Sequence, residues 1–485
     1  MRAPKVALVI GNSRYATAPL RNPVNDARAV ANLLVRLGFE VTEKRDITRA
    51  QMLAAIRGYT HSLATRKCMG LFYYAGHGAQ LAWTNYIVPV DAAIERLDDV
   101  PKQAVAVTGL IGGIAKAANP MNVIILDACR DNPFGGDKPI RQKGLSQMDA
   151  PPNTLLAYAT SPGNVASDGT GANGLYTEYL VREMAVKGAK IEDVFKRVRL
   201  GVRRQSDGAQ IPWESTSLEE DFYFLPSDQL KRLSEEEKTR RFNEELALWR
   251  RIQDSQDPAA FEDYLRRHPS GNFAELAQFR LDRVLAARGE KRIQITSQVG
   301  NPFTKGSAFA RISKVGDTVT YRVSDLRTGA ERRTYTAKVV RVTETEVVHD
   351  TGLVSDLLGN QLRTTDGYTF SPNQLAAPEF AVGKRWRTQY EVTDPKGVTW
   401  QSYQEIRIVE RKWVLTPAGQ FNAFRLEGRG VSQNPAGAIE FLITRWHVPD
   451  FQWPVVREER RRRGDQEIYA QRLEMLSIKL ADDDG

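Results

Sequence analysis

Leu71-Phe-Tyr-Tyr-Ala-Gly-His77-Gly78 and Val123-Ile-Ile-Leu-Asp-Ala-Cys129-Arg130 are the two stretches of sequence that decide the fold. Each begins with a run of bulky or β-branched residues, which is typical of a strand buried on both faces of a parallel sheet. Each run then stops at a reactive side chain. Because the working groups of open α/β sheets lie just beyond the carboxyl ends of the strands, we expect His77 and Cys129 to lie side by side at one sheet edge.

The pairing of a thiol with an imidazole indicates nucleophilic chemistry. Taken singly, Cys129 reads as a small buried hydrophobic residue and His77 as a turn residue between two glycines. Together they fit an activated nucleophile, because a cysteine needs a neighbouring base or cation to become a competent thiolate. Cys129 also follows His77 by 52 residues, close to the separation of about 50 that is typical of caspase-type pairs.

Four stretches carry a resemblance to a known family. Tyr74-Ala-Gly-His77-Gly78 and Asp127-Ala-Cys129-Arg130 resemble the His and Cys motifs of the caspase–metacaspase superfamily of cysteine peptidases, and in particular its bacterial members, the orthocaspases. Lys5-Val-Ala-Leu-Val-Ile-Gly-Asn12 resembles the family's first strand. Leu155-Leu-Ala-Tyr-Ala-Thr-Ser-Pro-Gly163 resembles the strand that opens its small-subunit half. The resemblance covers roughly residues 4–225.

The resemblance implies a cysteine endopeptidase. Cys129 would attack a peptide carbonyl, and His77 would act as general acid for the leaving amine and then as general base for water. The backbone N–H groups of Gly78 and Cys129 would stabilise the oxyanion of the tetrahedral intermediate.

Three acidic residues predict the specificity. Asp26 and Asp127 match positions at which metacaspases carry pocket acids, and Asp168 falls where animal caspases carry an arginine that binds a substrate Asp. An acidic pocket selects Arg or Lys and disfavours Asp, so we expect cleavage after basic residues. The alternatives are that Asp26 is an acid at a helix N-terminus and that Asp168 is a polar turn residue before Gly169.

Further candidates are less specific. Arg141 and Lys143 lie in the Gly-, Pro- and Lys-rich segment at 131–153 and are the available basic points for self-cleavage, although an uncut surface loop fits equally well. Trp213 could wall the substrate groove or fill the core. No stretch has the spacing of a metal-binding loop, so we assign no metal and no cofactor and leave calcium dependence open.

The chain divides into three predicted parts. Residues 1–227 alternate strand and helix signals and predict an α/β, caspase-like, mostly parallel sheet flanked by helices. Residues 228–290 predict a helical connector that resembles a tetratricopeptide-type pair. Residues 291–485 predict an all-β domain, which weakly resembles the half-barrel domains of bacterial envelope proteins and suggests a binding or targeting module.

Charge and composition bound the partners. The formal net charge is +9, but basic and acidic residues are interleaved throughout. The dense cluster Arg460–Arg463 precedes Gly464-Asp465 between two strand-like runs, which favours a solvated hairpin tip over a nucleic-acid site. The sequence contains no run of 18 apolar residues, the length that would predict a membrane-spanning helix. The expected partners are therefore protein or peptide substrates with basic residues, and the resemblance to metacaspases favours a monomer.

The compartment is not indicated. The first apolar run, Val6–Ile10, is too short for a signal peptide, although a chain whose leader had been removed would look the same. The two cysteines allow at most one disulfide, which would silence Cys129, so Cys68 is expected to be a free, partly buried thiol.

Two other functional classes compete with the peptidase. A catalytically silent adaptor could use the same fold for binding, but silent relatives often lack one of the two residues that this chain retains. A transpeptidase-like ligase could share the His/Cys geometry and would differ in its products.

Overall fold

The computed structural model describes residues 3–128, 144–146, 148, 150–161, 171–218, 220–226, 235–290, 308–309, 311–376, 379–380 and 382–481. Two compact units divide the chain: the first comprises residues 1–232 and 286–304, and the second comprises residues 233–285 and 305–485. The domain limits that the sequence suggests, at 227 and 290, stay predictions.

The first unit alternates strands and helices, as the sequence predicts. Its elements are β1 Lys5–Gly11, α1 Pro23–Arg36, β2 Glu40–Arg45, α2 Arg49–Arg66, β3 Met69–Ala75, β4 Gly78–Leu81, β5 Thr84–Ile87, α3 Val100–Gln103, β6 Val105–Ala106, α4 Val107–Ala117, β7 Asn122–Asp127, β8 Thr154–Tyr158, α5 Leu175–Met184, α6 Ile191–Gln205 and β9 Trp213–Thr216.

A six-stranded sheet in the order β2-β1-β3-β7-β8-β9 forms the centre of this unit. The first five strands are parallel, and β9 joins the edge antiparallel to β8. The four inner strands are almost wholly buried, whereas the edge strand β2 is largely exposed. This explains the uninterrupted apolar runs, since an inner strand of a covered parallel sheet has no wet face.

Several helices that cover the sheet pack on one another: α1 contacts α5, α5 contacts α6, and α2 contacts α4. Local signals set the helix ends. Gly38 follows the end of α1 with a φ of 81°, the left-handed conformation that favours glycine there. Thr48 caps α2 in a reciprocal capping box with Gln51. The side chain of each residue accepts the backbone N–H of the other, so two N–H groups that lack a partner within the helix are hydrogen-bonded. A small sheet of β4, β5 and β6 stands beside the main sheet.

The second unit combines helices with an all-β domain. Its elements are α7 Glu235–Ile252, α8 Pro258–Arg267, α9 Ala274–Ala287, β10 Ala308–Phe309, β11 Thr318–Asp325, β12 Glu331–Val342, β13 Glu346–His349, β14 Val354–Asp356, β15 Gln361–Arg363, β16 Thr369–Phe370, β17 Glu379–Phe380, β18 Arg385–Thr393, β19 Thr399–Thr416, β20 Gly419–Asn434, β21 Gly437–His447, β22 Val456–Arg463 and β23 Gln466–Lys479.

Within the described residues, twelve of these strands form one closed antiparallel barrel in chain order, omitting β10 and β17, which pair with each other. The sequence suggested a half-barrel, whereas the sheet closes because β11 pairs with β23 along its whole length. Buried and half-exposed residues alternate along β11, as expected for a strand with one inner face. The predicted fold class, a caspase-like α/β sheet followed by an all-β domain, is confirmed. None of the described helices is long and apolar enough to cross a membrane.

Candidate active site

The two strands that decide the fold are neighbours in the sheet. β3 and β7 run parallel, with Tyr74 opposite Leu126 and Ala75 opposite Asp127. The ladder continues one step further, because the N–H of Gly76 donates to the carbonyl of Asp127 at 3.3 Å. In the sequence, His77 and Cys129 each follow the Ala75–Asp127 pair by two positions, and their placement side by side stays a prediction. Cys129 itself lies outside the described residues.

A backbone contact defines the tautomer of His77. The imidazole is 3% exposed, and its Nε2 lies 2.7 Å from the carbonyl oxygen of Ala18. A carbonyl oxygen can only accept, so Nε2 carries a proton, and Nδ1 is the basic atom of the neutral ring. Ala18 presents this carbonyl from a φ of 53°, a left-handed conformation that is uncommon for alanine and often found at functional sites.

Two tyrosines brace the histidine. The ring of Tyr15 packs on the imidazole with centroids 4.4 Å apart, and its hydroxyl accepts the backbone N–H of His77 at 3.0 Å. The hydroxyl of Tyr74 donates to the carbonyl of His77 at 2.8 Å. Gly76 makes room for both hydroxyls, because a Cβ there would stand 2.6 Å from each of them. The imidazole is therefore held from its ring face and from its backbone.

Gly78 touches the end of the cysteine strand. A Cβ at this position would stand 2.4 Å from the carbonyl oxygen of Ala128, the residue before Cys129. Only glycine allows so close an approach of one backbone to another. The end of the histidine strand and the end of the cysteine strand are thus in direct contact.

Asp26 and Asp127 converge on the start of α5. Asp26 is 1% exposed, and its Oδ1 accepts the side-chain amide of Asn173 and the backbone N–H of Gly174, both at 2.9 Å. Asp127 is also buried, and its Oδ2 accepts the hydroxyl of Thr177 at 3.0 Å. Since a helix N-terminus favours negative charge, the site stabilises both carboxylates.

Tyr73 lies between these two acids. Its hydroxyl bonds to Thr177 at 2.6 Å and donates to Asp127 at 3.3 Å. Burial raises the pKa of Tyr73 well above its ordinary value, and the charges of Asp127 and then Asp26 raise it further. The phenol therefore stays a neutral donor to Asp127.

The other predicted site residues are distributed as follows. Trp213 is 4% exposed and packs against Tyr158, with ring centroids 5.8 Å apart. Its Nε1 has no hydrogen-bond partner among the described residues. The indole belongs to the hydrophobic core of the first unit, and a role beside substrate stays a prediction. Asp168, Arg141 and Lys143 fall outside the described residues.

A short segment before β8 is anchored beside the histidine strand. Ser146 is fully buried; its N–H donates to Oδ1 of Asn85, and its carbonyl accepts from Nδ2 of Asn85, each at 2.7 Å. Leu145 is also fully buried, and its side chain is the close neighbour of Gly78. This reciprocal amide pair ties the chain that follows Arg141 and Lys143 to β5.

Several site residues are absent from the sequence interpretation. Tyr15, Tyr73, Asn173 and Thr177 all act through a hydroxyl or amide that the fold brings from 50 to 147 positions away. Only Tyr73 lies in a quoted motif, so it is the only one with a local signal.

Metal ligation was left open by the sequence. Within the described ranges, no group of three or more His, Cys, Asp or Glu side chains is arranged to hold a metal ion.

Comparisons with known proteins match the first part of this chain. The caspase domain family matches residues 4–223. Mucosa-associated lymphoid tissue lymphoma translocation protein 1 from Homo sapiens and its homolog from Mus musculus are each 32% identical over 181 residues, which is 36% of this chain and 21% of either relative. The match therefore spans about a fifth of the length of these relatives.

The crystal structure of the Drosophila initiator caspase Dronc is a structural neighbour, with a TM-score of 0.35 and 15% identity over 46% of this chain and 84% of that one. The assignment rests on the sequence matches and on the motifs at the ends of β3 and β7. Residues 4–223 form a caspase domain of the caspase–metacaspase superfamily.

Proposed function

We propose that the caspase domain is an active cysteine endopeptidase of the orthocaspase type that cleaves after Arg or Lys. The observation that carries the specificity is the convergence of Asp26 and Asp127 on the start of α5, at the carboxyl end of the strands. Two buried carboxylates there provide the paired negative charge that a guanidinium or ammonium group requires.

In the proposed reaction, the thiol of Cys129 transfers its proton to Nδ1 of His77, and the thiolate attacks the scissile carbonyl. The N–H groups of Gly78 and Cys129 stabilise the oxyanion. When the C–N bond breaks, His77 returns the proton to the leaving amine, and a thioester remains. His77 then removes a proton from water, the resulting hydroxide attacks the thioester, and the proton passes to the sulfur as the carboxylic acid leaves.

The fixed tautomer supports the assignment of His77. Because Nε2 is committed to the carbonyl of Ala18, the proton can be exchanged only at Nδ1, and the ring cannot turn away without losing a buried hydrogen bond. We propose further that Arg141 and Lys143 are self-cleavage points, that the all-β domain is a recognition or targeting module, and that the chain is a monomer.

The test is hydrolysis of fluorogenic peptides that differ only in a terminal Arg, Lys or Asp, by this protein and its Cys129→Ala variant, with and without calcium. Cleavage after Arg and Lys that disappears in the variant is the expected result. Cleavage after Asp would overturn the acidic pocket and keep the enzyme. No cleavage of any peptide would favour the adaptor, and mass spectrometry of the products would reveal a ligase by its joined peptides.

A further inference from the structure

Three arginines face the inside of the barrel in the second unit. Antiparallel register places Arg445 of β21 opposite Arg457 of β22, and Phe441 opposite Arg461. Cross-strand partners share a face of a sheet, and Arg457 is also the partner of Leu473, which pairs with the buried, inward-facing Val323. Arg445, Arg457 and Arg461, hereafter the arginine cluster, therefore project inward.

One carboxylate, that of Glu459, is hydrogen-bonded within the cluster. Glu459 lies between two of the arginines on β22, accepting from Nη2 of Arg457 at 2.5 Å and from Nε of Arg461 at 2.6 Å. Arg445 donates to a neutral group, the carbonyl of Leu375, at 3.0 Å. Guanidinium groups remain charged in proteins, so three positive charges face one negative charge.

The neighbouring strands do not supply the negative charge that would neutralise the arginine cluster. The groups that face the cluster from them are Tyr390, Tyr469, Tyr335, His447 and, farther along, Arg333 and Asp325. Asp325 is the only acid of this set, and it already binds Arg327 and Arg332. Among the described residues, the inner face therefore carries an excess of positive charge.

The cluster is accessible and has donors to spare. The Arg457 and Arg461 side chains are 33% and 46% exposed, whereas Glu459 between them is 6% exposed. The buried Nε of Arg457 has no hydrogen-bond partner among the described residues. The guanidinium of Arg461 stacks on Tyr469 at 4.8 Å, which holds its plane in place. A fork of N–H donors that is fixed, charged and open matches a carboxylate or phosphate group.

We propose that the arginine cluster binds an oxyanion, the carboxylate or phosphate group of a ligand that enters the barrel. Such a group would supply the missing negative charge and accept the unused N–H donors of Arg457, Arg445 and Arg461. The proposal is independent of the peptidase activity, since every residue in it belongs to the second unit.

The test uses the full chain carrying Cys129→Ala, so that self-cleavage cannot interfere. Inorganic phosphate and acetate are titrated by calorimetry at constant ionic strength, with chloride as the reference, and the thermal midpoint of unfolding is followed in parallel. We expect phosphate or acetate to bind and to raise the midpoint above that in chloride, because a ligand of the folded state stabilises it. The stronger of the two identifies the group that the cluster prefers.

Matched variants on the same strand sharpen the test. Arg457→Gln and Arg461→Gln should each weaken binding about tenfold, since each removes charged hydrogen bonds. Arg460→Gln and Arg462→Gln remove the same charge from the outward face and should leave the affinity unchanged. Glu459→Gln removes the competing carboxylate and should tighten binding.

Three results would overturn the proposal. The first is an effect of phosphate and acetate no larger than that of chloride. The second is an equal loss of affinity in Arg460→Gln and Arg461→Gln, which would indicate diffuse surface charge. The third is unchanged affinity in Arg457→Gln and Arg461→Gln, which would mean that these arginines serve only to hold the barrel together.

Discussion

Nε2 of His77 lies 2.7 Å from the carbonyl oxygen of Ala18, a residue 59 positions earlier in the chain. This contact decides which nitrogen of the proposed catalytic base is free to take a proton. Tyr15, three residues before Ala18, packs on the same ring and accepts the N–H of His77. The loop after β1 is thus the support of the histidine, although it carries none of the proposed chemistry.

Tyr15→Phe should lower kcat and leave KM nearly unchanged. The substitution keeps the ring against the imidazole but removes the hydroxyl that accepts the His77 N–H and donates to the carbonyl of Val88 at 3.1 Å. A base displaced by even part of an ångström transfers protons poorly, so a loss of about tenfold or more is expected.

Tyr59→Phe is the matched control for that experiment. Tyr59 is also buried, but its hydroxyl has no hydrogen-bond partner among the described residues. Steady-state kinetics with an Arg peptide should show full activity in Tyr59→Phe. An equal loss in both variants would mean that general destabilisation, and not the position of His77, is the cause.

Gly78→Ala should abolish activity. A Cβ there would meet the carbonyl oxygen of Ala128 at 2.4 Å, so the ends of β3 and β7 would have to separate. A small displacement between nucleophile and base costs orders of magnitude in rate. By contrast, Gly112→Ala in α4 has open space around the new methyl group and should stabilise the helix by up to about 1 kcal/mol.

The two glycine variants are distinguished by measuring kcat/KM and the urea midpoint of unfolding for each of them. Gly78→Ala should lose turnover even under conditions in which it is fully folded, and Gly112→Ala should retain turnover with a higher midpoint. Wild-type turnover in Gly78→Ala would show that the close approach to Ala128 has no part in the chemistry.

The elements that the sequence predicted best are those in which pattern and burial coincide. The apolar residues of α6, Ile191, Val194, Phe195, Val198 and Val202, recur at helical spacing and predict the helix that the structure contains. In α4 the apolar residues Val107, Leu110, Ile114 and Ala117 have similar spacing, but Gly109, Gly112 and Gly113 lower its helix propensity. The helix forms because these four apolar residues are buried in the core of the first unit, and this tertiary packing compensates for the glycines.

The same division holds for the site. A histidine and a cysteine that end apolar runs are visible in the sequence because reactive residues at strand ends are informative. The carbonyl of Ala18 has no side-chain signature, and the contact forms only when β1 and β3 lie side by side. In the barrel, Arg460–Arg463 was interpreted as a solvated hairpin tip. The four residues do lie at the end of β22, but alternation turns Arg461 inward, and only the strand register reveals this.

Asp127→Asn and Asp26→Asn should change substrate preference more than stability. The amide oxygen of Asp127→Asn can still accept from the hydroxyl of Thr177, and that of Asp26→Asn can still accept from the N–H of Gly174. The hydrogen bonds to the start of α5 are therefore kept. The negative charge is lost, and kcat/KM for an Arg peptide should fall about 100-fold, while that for an uncharged analogue should change little.

The ratio of the two kcat/KM values is the measurement for these acids. Glu183→Gln is the control, because Glu183 is a buried acid at the other end of α5, where it binds Arg182 and Arg197. Its ratio should match that of the wild type. Should all three variants lose the Arg preference alike, the pocket assignment of Asp26 and Asp127 would be wrong.

Asn85→Ala should release the segment that Ser146 anchors. The substitution removes both amide hydrogen bonds and leaves the buried N–H and carbonyl of Ser146 without them, at a cost of about 1–3 kcal/mol for each. Limited digestion with trypsin, read by mass spectrometry, should then cut faster after Arg141 and Lys143. Ser146→Ala keeps both backbone bonds and should be cut at the wild-type rate; equal rates in all three proteins would count against the anchor.

The all-β domain should lose stability in acid through His447. Burial, reinforced by the charges of Arg445 and Arg457, lowers the pKa of His447 to about 3. In the unfolded chain, the pKa of a histidine is about 6.5. Between these values the unfolded chain binds the extra proton, so stability that is fully present above the unfolded pKa is lost as pH falls toward the folded pKa. His447→Gln cannot titrate, and its free energy of unfolding should fall less steeply, by about 1 kcal/mol per pH unit between roughly pH 6 and 4. Urea unfolding followed by tryptophan emission measures how the free energy of unfolding depends on pH in each protein. His61→Gln, at an exposed histidine, is the control and should keep the wild-type slope. A wild-type slope in His447→Gln would show that the imidazole is already charged inside the barrel.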